Sequence, residues 1–484
     1  MSETYMDNLT LKNKENTASQ TDLPVKSKTS LSKRDAEFRE ESLNGSLWKV
    51  ILMVGFPLAL YQSLNQLFKI LDTMMASHIS SESVSAVAYL SQISLFLSAI
   101  GSGLAVGAGI RISRAYGEGD YDMVKKRVST LYAICAAVGT LILVTIMPFV
   151  ESFLRMAKTP EELIAIGAEY FRVELIVIVV QIFNNVYISV ERARGNSKRI
   201  MYLNMIVIVL KLVFTALFVY GLDGDLVMIS YASLISQVSL FLFGIFNSLC
   251  QGNNAFGFSL TAISFRKAVV IPMLAQSFPV MVEKMAFSFG KNIINAMSVV
   301  YGSLAVGAMG VSNNIGGINT TPQNGFQEGA ASIISQNMGA GNRNRAIGAF
   351  YRVLLINVLI GAFSMMMTLW NLDFLAGCFD GGDPEFHQMI MGMYRFEAFG
   401  AVTLGVNSAV MALLYGLGKT KLTLVINFAR VFVFRIPVLL FLQKCTDFGS
   451  ESMGIVMMVS NICVGILAAV VAVLEIRKLK RDMG

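Results

Sequence analysis

Runs of about 20 apolar residues recur along almost the whole chain, and they constrain its fold more than any other feature. A helix of that length crosses the ~30 Å hydrocarbon core of a membrane and satisfies every backbone hydrogen bond within its own segment, as lipid requires. Apolar residues make up 54% of the 484 residues, and only 15% are charged. The runs fall near 47–71, 84–112, 128–149, 163–191, 200–220, 226–249, 269–300, 303–336, 347–371, 387–415, 421–443 and 452–475. We therefore predict an all-α integral membrane protein with about 12 transmembrane helices.

The second half of the chain repeats the first at an offset of about 222 residues. The matches are Gly103 with Gly325, Gly107 with Gly329, Gly117 with Gly339, Pro57 with Pro279 and, at an offset of 223, Asn184 with Asn407. Duplicated units are a common way to build transporters. Because six spans per half is an even number, both halves keep the same topology. We predict two six-helix lobes of parallel topology, related by an axis along the membrane normal.

The polar and apolar stretches divide the chain into four regions. Residues 1–44 are polar and mixed in charge without apolar periodicity, and we expect a disordered cytoplasmic tail. The N-lobe (TM1–6) covers 45–250, and the C-lobe (TM7–12) covers 269–484, ending in a short basic cytoplasmic tail. The Asn-, Gly- and Ser-rich segment 251–268 is the predicted cytoplasmic linker between them.

Lysine and arginine are concentrated in every second loop. The basic loops contain Arg114 with Lys125 to Arg127, Arg192 with Arg199, Arg266 with Lys267, Arg343 with Arg345, and Lys419 with Lys421. Cytoplasmic loops carry such an excess of basic residues. We therefore expect a multi-pass protein of the plasma membrane with both termini in the cytoplasm.

Several classes of function have no support in the sequence. The net charge of +7 comes from short loops between apolar spans, so it does not indicate nucleic-acid binding. The five cysteines show no paired spacing, and they read as packing residues. The sequence shows no catalytic triad, phosphate-binding glycine loop or His/Cys cluster. We expect neither an enzyme nor a bound cofactor.

Ionisable residues inside the predicted spans are functional candidates, because a charge at bilayer depth is costly. Glu174 and Lys211 each lie roughly 18 Å from the end of their span, near mid-depth. The second half places Glu397 in span ten, and Arg430 and Arg435 in span eleven. These charges either form structural ion pairs within each lobe, or include a carboxylate that takes up and releases H⁺ or Na⁺.

Glu283 in span seven is the strongest single candidate for ion coupling. It follows Pro279 by one helical turn, and a proline frees a backbone carbonyl and tends to kink a helix. Asp72 and Lys69 lie roughly 31–36 Å along span one from Trp48, near the outer boundary. Lys69 is expected to extend toward the headgroups.

Uncharged polar side chains are numerous for membrane spans. We expect many of them to line a wet central cavity, with Met and Phe side chains supplying an adaptable apolar wall. The cavity candidates are Gln181, Asn184, Asn407 and the basic Lys211.

With these features assembled, the chain resembles the multidrug and toxic compound extrusion (MATE) family of secondary transporters, from about residue 47 to 478. Asp72-Thr73-Met74-Met75 looks like the family's Asp-Thr-x-Met signature in span one. The stretch Ser335–Asn342 looks like the loop after span eight, and Gly195–Lys198 looks like the loop before span five. These motifs occur in the family's order on twelve spans.

The resemblance implies a V-shaped pair of lobes that exports amphipathic, often cationic drugs in exchange for Na⁺ or H⁺. Asp72 and Glu283 match the family's acidic sites in spans one and seven, so either is a candidate for Na⁺. The chain departs from the family pattern at Lys211, where many members carry an Asp, and in span ten, where some members carry another.

We therefore expect a cation-coupled antiporter that exports amphipathic drugs or metabolites by alternating access. Its expected partners are a small amphipathic substrate and the lipid bilayer, and we expect a monomer. The alternative is a flippase for a lipid-linked or anionic substrate, which the intramembrane bases would suit.

Overall fold

Our computed structural model describes residues 29–76, 81–157, 159, 161–222, 224–252, 254–380 and 382–482, but not the side chains of 68–89, 92, 166 and 303. The helices of the first half are α1 (Lys33–Asn44), α2 (Leu47–Ala76), α3 (Ser81–Glu118), α4 (Tyr121–Ile146), α5 (Val150–Met156), α6 (Glu161–Ala193), α7 (Ser197–Ala216) and α8 (Leu226–Cys250). Those of the second half are α9 (Lys267–Ser298), α10 (Ser303–Gly339), α11 (Arg343–Trp370), α12 (Leu372–Gly377), α13 (Pro384–Ala398), α14 (Ala401–Gly416), α15 (Thr420–Phe428), α16 (Ile436–Cys445) and α17 (Ser452–Arg481).

Among the described residues, ten helical stretches are long and apolar enough to cross a membrane, and the bent pair α13 and α14 makes an eleventh span. The twelfth is α10, which has 37 residues and a length of about 56 Å. It is less apolar than the others because it carries five asparagines and three glutamines. The predicted all-α membrane fold with two six-helix lobes is confirmed.

The tenth span is bent, although the sequence predicted one continuous run at 387–415. Its two helices meet at 51°, with the break between Ala398 and Ala401. At the break, α17 lies so close that a Cβ on Gly400 would be 2.7 Å from the Asn461 Cβ. Gln323 donates a hydrogen bond to the backbone oxygen of Ala401 at 3.1 Å, which supplies a side-chain partner to the backbone beside the bend.

Glycines end matching helices in the two lobes. Gly119 after α3 has φ of 81°, and its counterpart Gly341 after α10 has φ of 78°. Gly195 after α6 and Gly418 after α14 form a second equivalent pair, with φ of 76° and 74°. Only glycine adopts such backbone angles at little cost, so these residues separate successive spans in both lobes.

The lobes approach closely through helix pairs that obey the same repeat. A Cβ on Gly103 of α3 would lie 2.7 Å from the Met281 Cα of α9, and one on Gly325 of α10 would lie 2.4 Å from the Ala59 Cα of α2. Gly103 and Gly325 are 222 residues apart, and so are Ala59 and Met281. The lobes therefore pack with approximate two-fold symmetry, as the duplicated sequence predicts.

The lobes also meet at the end of the bundle that carries the basic loops. A Cβ on Gly117 would lie 2.0 Å from the Gln336 oxygen, and one on Gly339 would lie 2.1 Å from the Arg114 oxygen. These contacts require glycine at both positions, since any side chain would displace the partner backbone. The backbones of the two lobes are therefore in close contact at this end.

Residues 33–44 form the helix α1, which corrects the prediction of a disordered tail up to residue 44. Although the sequence of α1 is mostly polar, one face of the helix is buried, and this face contains Asp35 and Phe38. Asp35 pairs with Arg194 of the first lobe at 2.9 Å, and Ser42 donates to Gln336 of the second lobe at 2.8 Å. The helix is ordered because both lobes supply polar partners. The earlier part of the predicted tail, 1–28, lies outside the described residues.

Candidate functional site

Glu283 is buried in α9 with a complete set of uncharged partners. Its carboxylate accepts hydrogen bonds from the Tyr415 hydroxyl at 2.8 Å, the Thr423 hydroxyl at 2.6 Å and the Asn427 amide at 2.6 Å. Only 6% of Glu283 is exposed. All three donors come from α14 and α15 of the same lobe. A buried carboxylate surrounded by hydroxyl and amide groups can hold a proton, or can supply an oxygen ligand to a hard cation.

A narrow cavity of about 60 Å³ lies between the lobes, next to this carboxylate. Tyr415, which donates to Glu283, also lines the cavity together with Lys284. Across the cavity, Arg192 of the first lobe and Glu328 of the second form a salt bridge at 2.9 Å. The buried site is therefore connected to the lobe interface through a polar side chain.

The sequence analysis did not single out Glu328. It is an acidic residue in the polar span α10, and the rule that selected Glu283 would have selected it as well. Arg192 was assigned only to a basic loop. Its role in joining the lobes depends on the tertiary arrangement of α6 and α10.

A second cavity, of about 300 Å³, lies within the first lobe. It brings together Gln181, Asn184 and Lys211. Asn184 donates to the side-chain oxygen of Gln237 at 2.9 Å. Glu174 lies on the same helix as Gln181, seven residues earlier, about 10 Å along the axis.

A third cavity, of about 290 Å³, lies within the second lobe and contains Glu397 and Asn407. Glu397 accepts a hydrogen bond from the Ser312 hydroxyl at 2.5 Å. Arg430 and Arg435 also line this cavity. Asn407 is the repeat equivalent of Asn184, so the two larger cavities occupy corresponding places in the lobes.

The polar side chains are thus divided between the lobes, whereas the sequence predicted one wet central cavity. The close glycine contacts between α3 and α9 and between α2 and α10 bring the lobes together in the centre, where the narrow interlobe cavity lies. Asp72 belongs to α2, but its side chain lies outside the described residues, as does that of Lys69. The prediction of a Na⁺ site at Asp72 therefore stays a prediction.

Comparison with known proteins agrees with the repeat. The sequence profile of the MatE family matches residues 57–217 and again residues 279–441, about two thirds of the chain. The two matches begin 222 residues apart, and each covers the first five spans of one lobe. The family resemblance and the internal duplication are therefore confirmed together.

Several known proteins are similar over most of their length. The chain is 22% identical to the probable multidrug resistance protein YpnP of Bacillus subtilis, over 81% of this chain and 88% of YpnP. It is 21% identical to the probable multidrug resistance protein NorM of Thermotoga maritima, over 83% of this chain and 87% of NorM.

A solved structure has the same fold. It is an outward-facing multidrug resistance transporter of the MATE family, and it superposes with a TM-score of 0.87 at 20% identity, covering 93% of this chain and 99% of that one. The protein has the all-α fold of these transporters and multiple apolar spans. The chain belongs to the MatE family, and it is a multi-pass membrane transporter, not an enzyme.

Proposed function

We propose that the protein is a cation-coupled antiporter that exports amphipathic drugs or metabolites across the plasma membrane. The observation that carries the proposal is the buried Glu283 carboxylate, held by three uncharged donors beside the lobe interface. Such a group can exchange H⁺ or Na⁺ when the lobes rearrange, and the relatives named above are multidrug resistance proteins. Because the repeat is complete within one chain, we propose that a monomer suffices.

The two lobes are proposed to alternate access by moving against each other. Their approximate two-fold symmetry and closely packed glycines form a rigid-body interface that can open at either end. With both termini at the cytoplasmic end, the closed contacts of Gly117 and Gly339 lie on the cytoplasmic side. The relatives are named as probable multidrug resistance proteins, which favours drug export over the flippase alternative.

Drug accumulation in cells is the direct test of export. Bacteria that lack their own major exporters should accumulate less ethidium when they express this protein than when they carry an empty vector. Collapsing the Na⁺ and proton gradients should remove the difference, because the proposed export uses ion entry. Equal accumulation with and without the protein, at verified membrane expression, would reject drug export.

The Arg192–Glu328 salt bridge should hold the lobes together at the end with the basic loops. The pair joins α6 to α10 and is only partly exposed, at 11% and 32% of the two side chains. Losing one charge-assisted hydrogen bond costs about 1.5 kcal/mol, roughly a tenfold change in a two-state population. We expect Glu328→Gln to favour the state in which this end is open.

Cysteine labelling measures that opening. Ser113 is 2% exposed, and its hydroxyl oxygen lies 3.0 Å from the hydroxyl oxygen of Ser332 in the other lobe. A Ser113→Cys probe should therefore react with a maleimide only when the lobes separate. In purified protein whose five native cysteines are replaced by serine, Glu328→Gln should raise the labelling rate about tenfold. Glu118→Gln, which removes an exposed pair with Arg114 within one lobe, is the control and should leave the rate unchanged. Identical labelling rates in Glu328→Gln and the parent would show that the Arg192–Glu328 salt bridge does not hold the lobes together.

A further inference from the structure

Two arginines of the second lobe line one cavity, and neither forms a direct ion pair with a described carboxylate. The Arg435 Nε donates to the Ser460 hydroxyl at 2.9 Å, and an Nη of each arginine donates to the same Asn461 oxygen, at 2.8 Å for Arg430 and 3.2 Å for Arg435. Within the described part of the chain, neither guanidinium has a carboxylate within 4 Å, and the Arg430 Nε is buried without a partner. Arg435 is 3% exposed.

A local change of helix type brings the two guanidinium groups together. Residues Ala429–Arg435 form a π-helix between α15 and α16. In a π-helix the hydrogen bonds run from i to i+5, so residues five apart fall on nearly the same face. In an α-helix the same two positions would point about 140° apart. π-helical turns occur frequently at functional sites, and this one converges two cations on a single cavity.

The described residues that line the cavity include more basic than acidic side chains, and most of them are polar. The basic ones are Lys291, Arg430 and Arg435, and the carboxylate among them is Glu397, which accepts a hydrogen bond from the Ser312 hydroxyl. The Phe287 ring lies 5.4 Å from the Arg430 guanidinium. The volume of about 290 Å³ is close to the lower end of known small-molecule sites, about 300–1,000 Å³.

The chemistry of these two arginines suits an oxyanion ligand. Buried charges in proteins are normally paired, because an uncompensated charge away from water is costly. Arginine presents a planar set of donors that matches a carboxylate, sulfonate or phosphate with two parallel hydrogen bonds. Two such groups on one cavity wall suit an oxyanion much better than a cation.

We propose that the second-lobe cavity binds the anionic group of an amphipathic substrate, through Arg430 and Arg435. This inference rests on the proposed export function and names its substrate class. The anion is a carboxylate, sulfonate or phosphate, and the Phe287 ring contacts the apolar body of the same molecule. Glu397 opposes anion binding and limits its affinity while it is ionised.

Binding of two matched dyes tests the site. Sulforhodamine 101 and rhodamine 6G share a ring system but carry net negative and net positive charge, respectively. Their Kd values for the full-length protein in phosphatidylcholine nanodiscs are measured by fluorescence anisotropy, with empty discs as the blank. We expect Arg430→Gln and Arg435→Gln each to raise the Kd of sulforhodamine 101 about tenfold or more, the effect of losing a charge-assisted hydrogen bond. Neither change should weaken rhodamine 6G binding.

Two further variants distinguish a specific effect on dye binding from misfolding of the arginine variants. Glu397→Gln should lower the Kd of sulforhodamine 101, and a gain in affinity cannot come from a damaged fold. Arg155→Gln removes an arginine from an exposed ion pair with Glu161 and should change neither Kd. An unchanged sulforhodamine Kd in both cavity arginine variants, together with no gain in Glu397→Gln, would overturn the proposal.

Discs that contain phosphatidylglycerol distinguish a lipid from a free solute as the source of the anion. Competition by this lipid for sulforhodamine in the parent protein supports the anion site and assigns it to a headgroup. No competition, with the arginine effects intact, supports a free amphipathic anion. If the arginine effects are absent while gradient-driven ethidium efflux persists, only this inference fails. Dye binding without any gradient-driven efflux would count against the proposed function instead.

Discussion

Glu283→Gln should abolish gradient-driven export, down to the rate of protein-free liposomes. Glutamine keeps the size of the side chain but cannot exchange a proton or supply a carboxylate charge to Na⁺. The partners Tyr415, Thr423 and Asn427 are all uncharged, so no nearby acid in this hydrogen-bonded group can replace it. Efflux from proteoliposomes with an imposed ion gradient measures the loss.

Dye binding and a control variant distinguish a loss of ion coupling in Glu283→Gln from misfolding of the protein. Binding of sulforhodamine 101 should be retained in Glu283→Gln, because the second-lobe cavity does not include this carboxylate. Glu118→Gln changes an exposed glutamate on a membrane-spanning helix and should export normally. Full export by Glu283→Gln would remove this residue from the coupling mechanism.

Asp35→Ala should lower the free energy of unfolding by about 1–3 kcal/mol, since it leaves buried hydrogen-bond donors unsatisfied, while Arg194 keeps Glu191 as a second partner at 3.2 Å. Asp35 is 1% exposed, and its carboxylate pairs with Arg194 at 2.9 Å. It also accepts from the Asn254 amide at 2.9 Å and from the Ser32 hydroxyl at 2.6 Å. A thermal-shift measurement on purified protein should show a lowered Tm.

The same helix provides a control for this effect. Glu41 pairs with Lys49 at 3.2 Å, but 65% of the Lys49 side chain is exposed. Exposed ion pairs contribute about 0–1 kcal/mol, so Glu41→Ala should hardly change the Tm. Equal Tm values for Asp35→Ala and Glu41→Ala would show that α1 is not anchored through its buried acid.

The spans and the duplicated lobes could be predicted because both follow from patterns along the chain. Apolar runs of sufficient length determine the helices, and the offset between Gly103 and Gly325 reveals the second lobe. The helix α1 could not be predicted in the same way. Its sequence is polar, and its order depends on contacts with residues far along the chain, such as Arg194 and Gln336.

The candidate sites were predictable only in part. Glu283 was selected because a carboxylate in an apolar span is unusual, but its three donors lie 132 to 144 residues away and depend on how α9 packs against α14 and α15. Arg430 and Arg435 were recognised as intramembrane bases. Their convergence required the π-helix, and no sequence pattern used here indicates one.

Gradient-driven efflux tests the central claim most directly. Proteoliposomes loaded with ethidium or sulforhodamine 101 are placed in turn under an inward Na⁺ gradient and an inward proton gradient. One of the gradients should accelerate the efflux of at least one dye, and Glu283→Gln should lose this acceleration. If neither gradient accelerates either dye, with folded protein in the membrane, the proposal of a cation-coupled exporter is contradicted.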